Sequence, residues 1–108
     1  MPHPRFKISK SADGQFTFNL TAANAEIILA SERYTSRASA ETGVESVKIN
    51  ALVDGRHERR TARDGRAYFV LKAANGEIIG TSETYSSKAA METGTEAVKN
   101  NAPKAPVE

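Results

Sequence analysis

A single shift of 51 residues lays one half of this chain on the other: residues 13–51 align with residues 64–102 without a gap, and 23 of the 39 positions are identical. Ala22-Ala23-Asn24 matches Ala73-Ala74-Asn75, Glu26-Ile27-Ile28 matches Glu77-Ile78-Ile79, and Glu41-Thr42-Gly43 matches Glu92-Thr93-Gly94. A duplication of this kind fixes the unit of structure before any motif is weighed. Each copy has about 50 residues, near the lower limit for a core that stands alone. The 108-residue chain is therefore expected to form one domain, 1–108. Repeat 1 (about 5–51) and repeat 2 (about 56–102) would share a core about a pseudo-twofold axis, as in a homodimer joined by a linker.

Within each copy the pattern reads strand, strand, strand, helix. Phe16, Phe18, Leu20 and Ala22 alternate with Thr17, Asn19 and Thr21, the period of two of a half-buried strand, and Ala67, Phe69, Leu71 and Ala73 repeat it. Asn75-Gly76 then predicts a two-residue hairpin turn with both residues at positive φ. Asn24-Ala25 stands at the same place in the first copy, where an alanine costs roughly 1 kcal/mol. Such turns pair Ala22 with Ile27, Leu20 with Leu29, Ala73 with Ile78 and Leu71 with Gly80, leaving Ile28 and Ile79 on the opposite face. Upstream, Phe6, Ile8 and Lys10 alternate with Lys7 and Ser9 before a turn at Ala12-Asp13-Gly14. The matching segment, 57–62, is far more polar and reads as an edge strand.

Ser36 and Ser87 are placed to cap helices. Ala40, Gly43, Val44, Val47 and Ala51 follow the spacing of an apolar helical stripe, as do Met91, Gly94, Thr95, Val98 and Ala102. Gly43 and Gly94 lie mid-helix, where glycine costs about 1 kcal/mol, so they predict close approach of helix backbone to the sheet. The tail, 103–108, holds two prolines and is expected to be disordered. Hairpin-linked strands with two helices predict an α+β fold: two tandem β-β-β-α repeats forming one antiparallel sheet with both helices packed on it.

The doubled patterns carry a resemblance. Asp13-Gly14-Gln15-Phe16 with Phe18 and Leu20, Ala23-Asn24-Ala25-Glu26, Ser31-Glu32-Arg33-Tyr34 and Thr42-Gly43 resemble the YegP-like family of small uncharacterised bacterial proteins. The second copy, from Phe69 through Ile79, is closer still to that pattern. The resemblance runs from about Phe6 to Ala102. It implies tandem β-β-β-α units in a single sheet, and single-copy members that pair as homodimers. It brings no catalytic or binding residues, and Ala25 departs from it where a hairpin glycine is expected.

Chemistry has little raw material. Without cysteine there is no disulfide, thiolate metal site or cysteine nucleophile. Two histidines are present: His3 between prolines in a mobile segment, and His57 expected as a surface imidazole between Arg56 and Glu58. Neither stands in a ligand set or beside a serine elbow, and no glycine-rich phosphate loop appears. No catalytic residue, cofactor or metal is assigned. The longest apolar run, 67–71, spans no membrane. The start, Met1-Pro2-His3-Pro4-Arg5, lacks a signal-peptide core, so a cytoplasmic protein is expected, and the resemblance implies a bacterial one.

Fifteen basic against thirteen acidic residues demand no polyanionic partner. The balance does hide a basic segment: Arg56, Arg59, Arg60, Arg63 and Arg66, followed by Tyr68, are candidates for nucleic-acid contact through phosphates and base stacking. On a strand, Arg59 and Arg63 share a face and Arg60 takes the other. Ser31-Glu32 and Tyr34 recur as Ser82-Glu83 and Tyr85, and a groove between the halves is a further candidate site. The expected role is a non-enzymatic binding or accessory module with a nucleic acid or protein as partner, monomeric around its internal pseudo-dimer. Nucleic-acid binding is the alternative, and an enzyme acting on a small ligand at the inter-repeat groove comes third.

Overall fold

A computed structural model describes residues 3–108; Met1 and Pro2 lie outside it. Its elements repeat as the sequence does. β1 (Arg5–Lys10), β2 (Phe16–Thr21), β3 (Ile27–Ala30) and α1 (Arg37–Asn50) are followed by β4 (His57–Thr61), β5 (Ala67–Lys72), β6 (Ile78–Thr81) and α2 (Lys88–Asn101). The six strands form one antiparallel sheet in the order β1-β2-β3-β6-β5-β4, and both helices contribute to a single core cluster. The order is palindromic because the copies meet through β3 and β6, where Ala30 pairs with its own counterpart Thr81. α1 packs on β6 as well as on its own β2, and α2 packs on β3 as well as β5, so each helix reaches across the boundary.

The caps form as expected: Ser36 Oγ accepts from the Ser39 amide and Ser87 Oγ from the Ala90 amide. The helix stripes are buried at the predicted residues, and Asn50 joins them. The axis explains one divergence. A Cβ on Gly80 would sit 2.6 Å from Leu29 Cδ2 and 2.7 Å from its Cγ. Leu29 and Gly80 are equivalent positions facing each other, and only one of them can carry a leucine.

The turn geometry corrects the register. All four hairpins use one five-residue design in which a single residue, Gly14, Ala25, Gly65 or Gly76, takes positive φ. The preceding Asp13, Asn24, Asp64 or Asn75 accepts from the amide two residues on, at 3.0–3.2 Å. A β-bulge follows in both inner hairpins. Leu20 does face Leu29, and Leu71 faces Gly80, but Ile27 pairs with Thr21 and Ile78 with Lys72 rather than with Ala22 and Ala73. The extra residue turns Ile28 and Ile79 into the core, whereas Ile27 is exposed.

Two polar expectations also change. His57 is buried at 2% exposure, not on the surface. It occupies the place of Phe6 in the other copy: Phe6 meets Phe18 edge-on at 5.9 Å, and His57 meets Phe69 edge-on at 5.8 Å. The segment 103–108, expected to be disordered, docks on the free edge of β1. The Phe6 amide donates to the Pro106 carbonyl (2.8 Å), the Glu108 amide donates to the Phe6 carbonyl (2.7 Å), and Ala105 is 1% exposed. An unpaired edge amide and an apolar seat outweigh the tail's polar composition.

Candidate binding site

The residues that recur in both copies are held by structural bonds. The Phe18 amide donates to Ser31 Oγ (2.8 Å), whose hydroxyl donates to the Glu32 carbonyl (2.7 Å). Phe69, Ser82 and Glu83 repeat this at 2.9 and 2.8 Å. Each serine thus completes a ladder where β3 or β6 splays from its neighbour. Tyr34 and Tyr85 then close the strand pair by two-way backbone bonds to Phe16 and Ala67.

The tyrosine rings account for the helix glycines. A Cβ on Gly94 would overlap the Tyr85 hydroxyl and lie 2.6 Å from Cζ. One on Gly43 would overlap the Tyr34 hydroxyl, with Cζ at 2.7 Å and Phe18 Cε2 at 3.0 Å. The close approach at these glycines is thus to a phenol ring from the strand–helix loop, not to the sheet backbone. Burial raises both phenol pKa values, with Glu32 adding to the effect at Tyr34, and Glu83 and Glu26 at Tyr85.

Beside each ring runs a groove that crosses the boundary between copies. In the first, about 450 Å³, Ala22, Asn24, Glu26 and Ile28 of the β2–β3 hairpin face Tyr85 and Ala90, Thr93, Gly94 and Ala97 of α2. Its counterpart, about 610 Å³, sets Gly76, Glu77, Ile78 and Ile79 against Glu32, Arg33 and Tyr34. The sequence pointed to a groove between the halves without naming its residues. A two-residue turn without a bulge would place Ile28 and Ile79 elsewhere, and the informative sequence signal is divergence: Ala90 and Ala97 stand where the first copy has Ser39 and Ser46.

The arginine segment does not gather into one surface. Arg59 lies toward α2 in a bidentate pair with Glu92 (2.9 and 3.0 Å), and also donates to Asp54 Oδ1 (3.1 Å) and the His57 carbonyl (2.8 Å). These partners raise its pKa. Lys99 first, then Arg59, hold the Asp54 carboxyl down at about 2. Arg60 takes the opposite face, paired with Glu58 and opposite Tyr68 in register, and Glu58 also binds Lys72 at 2.7 Å. Arg56 donates to the Asn50 side-chain oxygen, and Arg66 lies 3.6 Å from Asp64. Arg63 is exposed in the turn between β4 and β5. Four of the five guanidiniums thus have a carboxylate or amide partner.

The His57 ring stands apart from both grooves. Its Nε2 lies 2.9 Å from the Ala51 carbonyl, Nδ1 is buried without a partner, and burial lowers its pKa. The ring is held neutral with the proton on Nε2. His3 is exposed and meets Glu108 at 2.6 Å. Among the described residues, no three His, Cys, Asp or Glu side chains converge to hold a metal ion, and no helix is long and apolar enough to cross a membrane.

Known proteins share this arrangement. A UPF0339 protein of Bordetella pertussis is 52% identical over 99 residues, 92% of this chain and 89% of its own length. The UPF0339 protein YegP of Shigella flexneri is 52% identical over 96 residues, 89% of this chain and 87% of its own. The solution structure of Escherichia coli YegP, described as a protein of unknown function, superimposes with a TM-score of 0.93 at 46% identity, covering 100% of this chain and 93% of that one. A UPF0339 protein of Shewanella oneidensis gives 0.91 at 42% identity, covering 100% and 91%. A family model described as a domain of unknown function, DUF1508, matches residues 11–58 and again 62–108. It divides the same repeat one strand later than β1. With both halves matched and the fold shared throughout, the chain belongs to the DUF1508 family and carries the domain twice.

Proposed function

We propose that the chain is a non-enzymatic binding module of the bacterial cytoplasm, a monomer around its internal pseudo-dimer, that takes up its ligand at the grooves between the copies. One observation carries this reading. The recurring serines, tyrosines and glycines are engaged in folding, whereas the two grooves are concave surfaces that only the joined copies create. Their size and mixed apolar and polar lining suit a small ligand or a side chain of a partner. Neither is lined by a histidine, and the buried His57 points its chemistry at a backbone carbonyl. Nucleic-acid binding draws little support from arginines spread over two faces and a turn, most of them paired.

The test is a fragment screen on the ¹⁵N- and ¹³C-labelled full chain. The reading expects shift changes to cluster at Ile28 and Tyr85 or at Ile79 and Tyr34. Hits spread elsewhere, or turnover of a fragment, would overturn it. For the alternative, fluorescence anisotropy with DNA and RNA at low salt should show no binding that the combined Arg59→Ala, Arg60→Ala and Arg63→Ala change removes.

A further inference from the structure

The two grooves have diverged, and the divergence points to a ligand class. In the groove against α2, the wall is Ala90 and Ala97 with Ile28 and the Tyr85 ring. The equivalent positions on α1 are Ser39 and Ser46, and no α1 residue is among those lining the counterpart groove. Charge has diverged the same way. Glu26 lines the α2 groove, and Glu83 acts with it on the Tyr85 hydroxyl. Among the described residues neither carboxylate has a cationic partner, since the ion pairs all involve other acids. In the other groove Arg33 is part of the lining, where the second copy has Thr84; its guanidinium pairs with Asp13 at 3.0 Å, and Glu77 accepts from the Asn75 side-chain nitrogen. One groove is therefore walled mainly by apolar side chains, with the carboxylate of Glu26 and no basic residue in its lining. The other is more polar and carries its own cation.

We propose that the groove between the β2–β3 hairpin and α2 binds an organic cation, a primary ammonium or guanidinium carried on an apolar body. The proposal rests on the groove reading given above and names its ligand chemistry. The apolar body would lie on Ile28, Ala90 and Ala97, where burial of hydrocarbon supplies the main attraction. The cationic head would sit at Glu26 beside the Tyr85 ring, gaining a charge-assisted hydrogen bond and a cation–π contact, with Glu83 adding to the negative field there. Exposed carboxylates contribute modestly, so a small probe of about nine heavy atoms should bind with a dissociation constant on the order of 1 mM.

The experiment titrates labelled full-length protein with 2-phenylethylammonium, and in parallel with 2-phenylethanol and phenylacetate as its neutral and anionic relatives. The expected result is saturable shifts at Glu26, Ile28, Tyr85, Ala90 and Ala97, with the alcohol at least fivefold weaker and the carboxylate weaker still. Glu26→Gln with Glu83→Gln should weaken the ammonium at least fivefold and leave the alcohol unchanged. Both are surface changes, and a well-dispersed spectrum of the variant confirms its fold. Equal binding of ammonium and alcohol at these residues would overturn the cation assignment and leave the groove reading standing. Groove residues unmoved by all three probes would sink both.

Discussion

The contact between Leu29 and Gly80 offers the most exacting perturbation, because it couples residues from different copies. In Gly80→Ala the new methyl would lie 2.6, 2.7 and 3.1 Å from Leu29 Cδ2, Cγ and Cδ1, well inside normal contact. Leu29 is 1% exposed and has little room to retreat. Overpacking of this kind costs about 1–3 kcal/mol, partly offset by the roughly 0.5–1 kcal/mol that alanine gains over glycine within a strand. Leu29→Ala alone opens a cavity and should cost about 2–5 kcal/mol. In the double variant the methyl at position 80 meets no leucine and fills part of the space. The two losses should therefore fall short of additivity by about 1–3 kcal/mol. Urea unfolding of the four proteins, followed by far-ultraviolet circular dichroism, measures the cycle. Additivity within about 0.5 kcal/mol would refute the claim that these residues compete for one space at the axis.

Other consequences follow from single residues. Gly94→Ala should destabilise by about 1 kcal/mol through Tyr85, yet stabilise by about 1 kcal/mol in a Tyr85→Ala background, where only helix propensity remains; denaturation midpoints give both signs. Ala25→Gly removes the one positive-φ alanine, φ 70°, and should raise stability by up to about 1 kcal/mol; a fall in the urea midpoint would contradict the turn geometry. His57 has a folded pKa below its unfolded 6.5, so its contribution is present above pH 6.5 and is lost as pH falls from there toward the folded value. His57→Phe should flatten that part of the stability profile below pH 6.5, seen by comparing urea midpoints of the two proteins as the pH is lowered. Deleting residues 105–108 removes the acceptor of the Phe6 amide, whose hydrogen exchange should accelerate at least tenfold more than that of the Leu71 amide.

Much of this architecture is legible in the sequence because it depends on local pattern. Period-two runs marked β2 and β5, and serine caps with apolar stripes fixed both helices. The duplication dictated the palindromic sheet. What escaped depended on geometry that pattern does not encode. A bulge of one residue reversed the faces of Ile27 and Ile28, since side-chain direction follows register with a period of two. His57 read as a surface residue because its neighbours are charged, although its place in the repeat is that of buried Phe6. The tail looked unstructured by composition, yet the edge of β1 offered it hydrogen bonds. The arginines clustered in sequence but not in space, because alternation and a turn distributed them. The grooves were hardest to see, being assembled from residues of both copies whose only sequence signal was a difference between halves meant to match.

The central claim is that two copies form one cooperative body, without which neither cross-repeat groove exists. Native-state hydrogen exchange of the full chain tests it most directly. The Phe18 and Leu20 amides of the first copy and the Phe69 and Leu71 amides of the second should exchange through one global opening, with free energies equal within about 0.5 kcal/mol and denaturant slopes matching that of complete unfolding. Two classes separated by 2 kcal/mol or more, one for each copy, would contradict it.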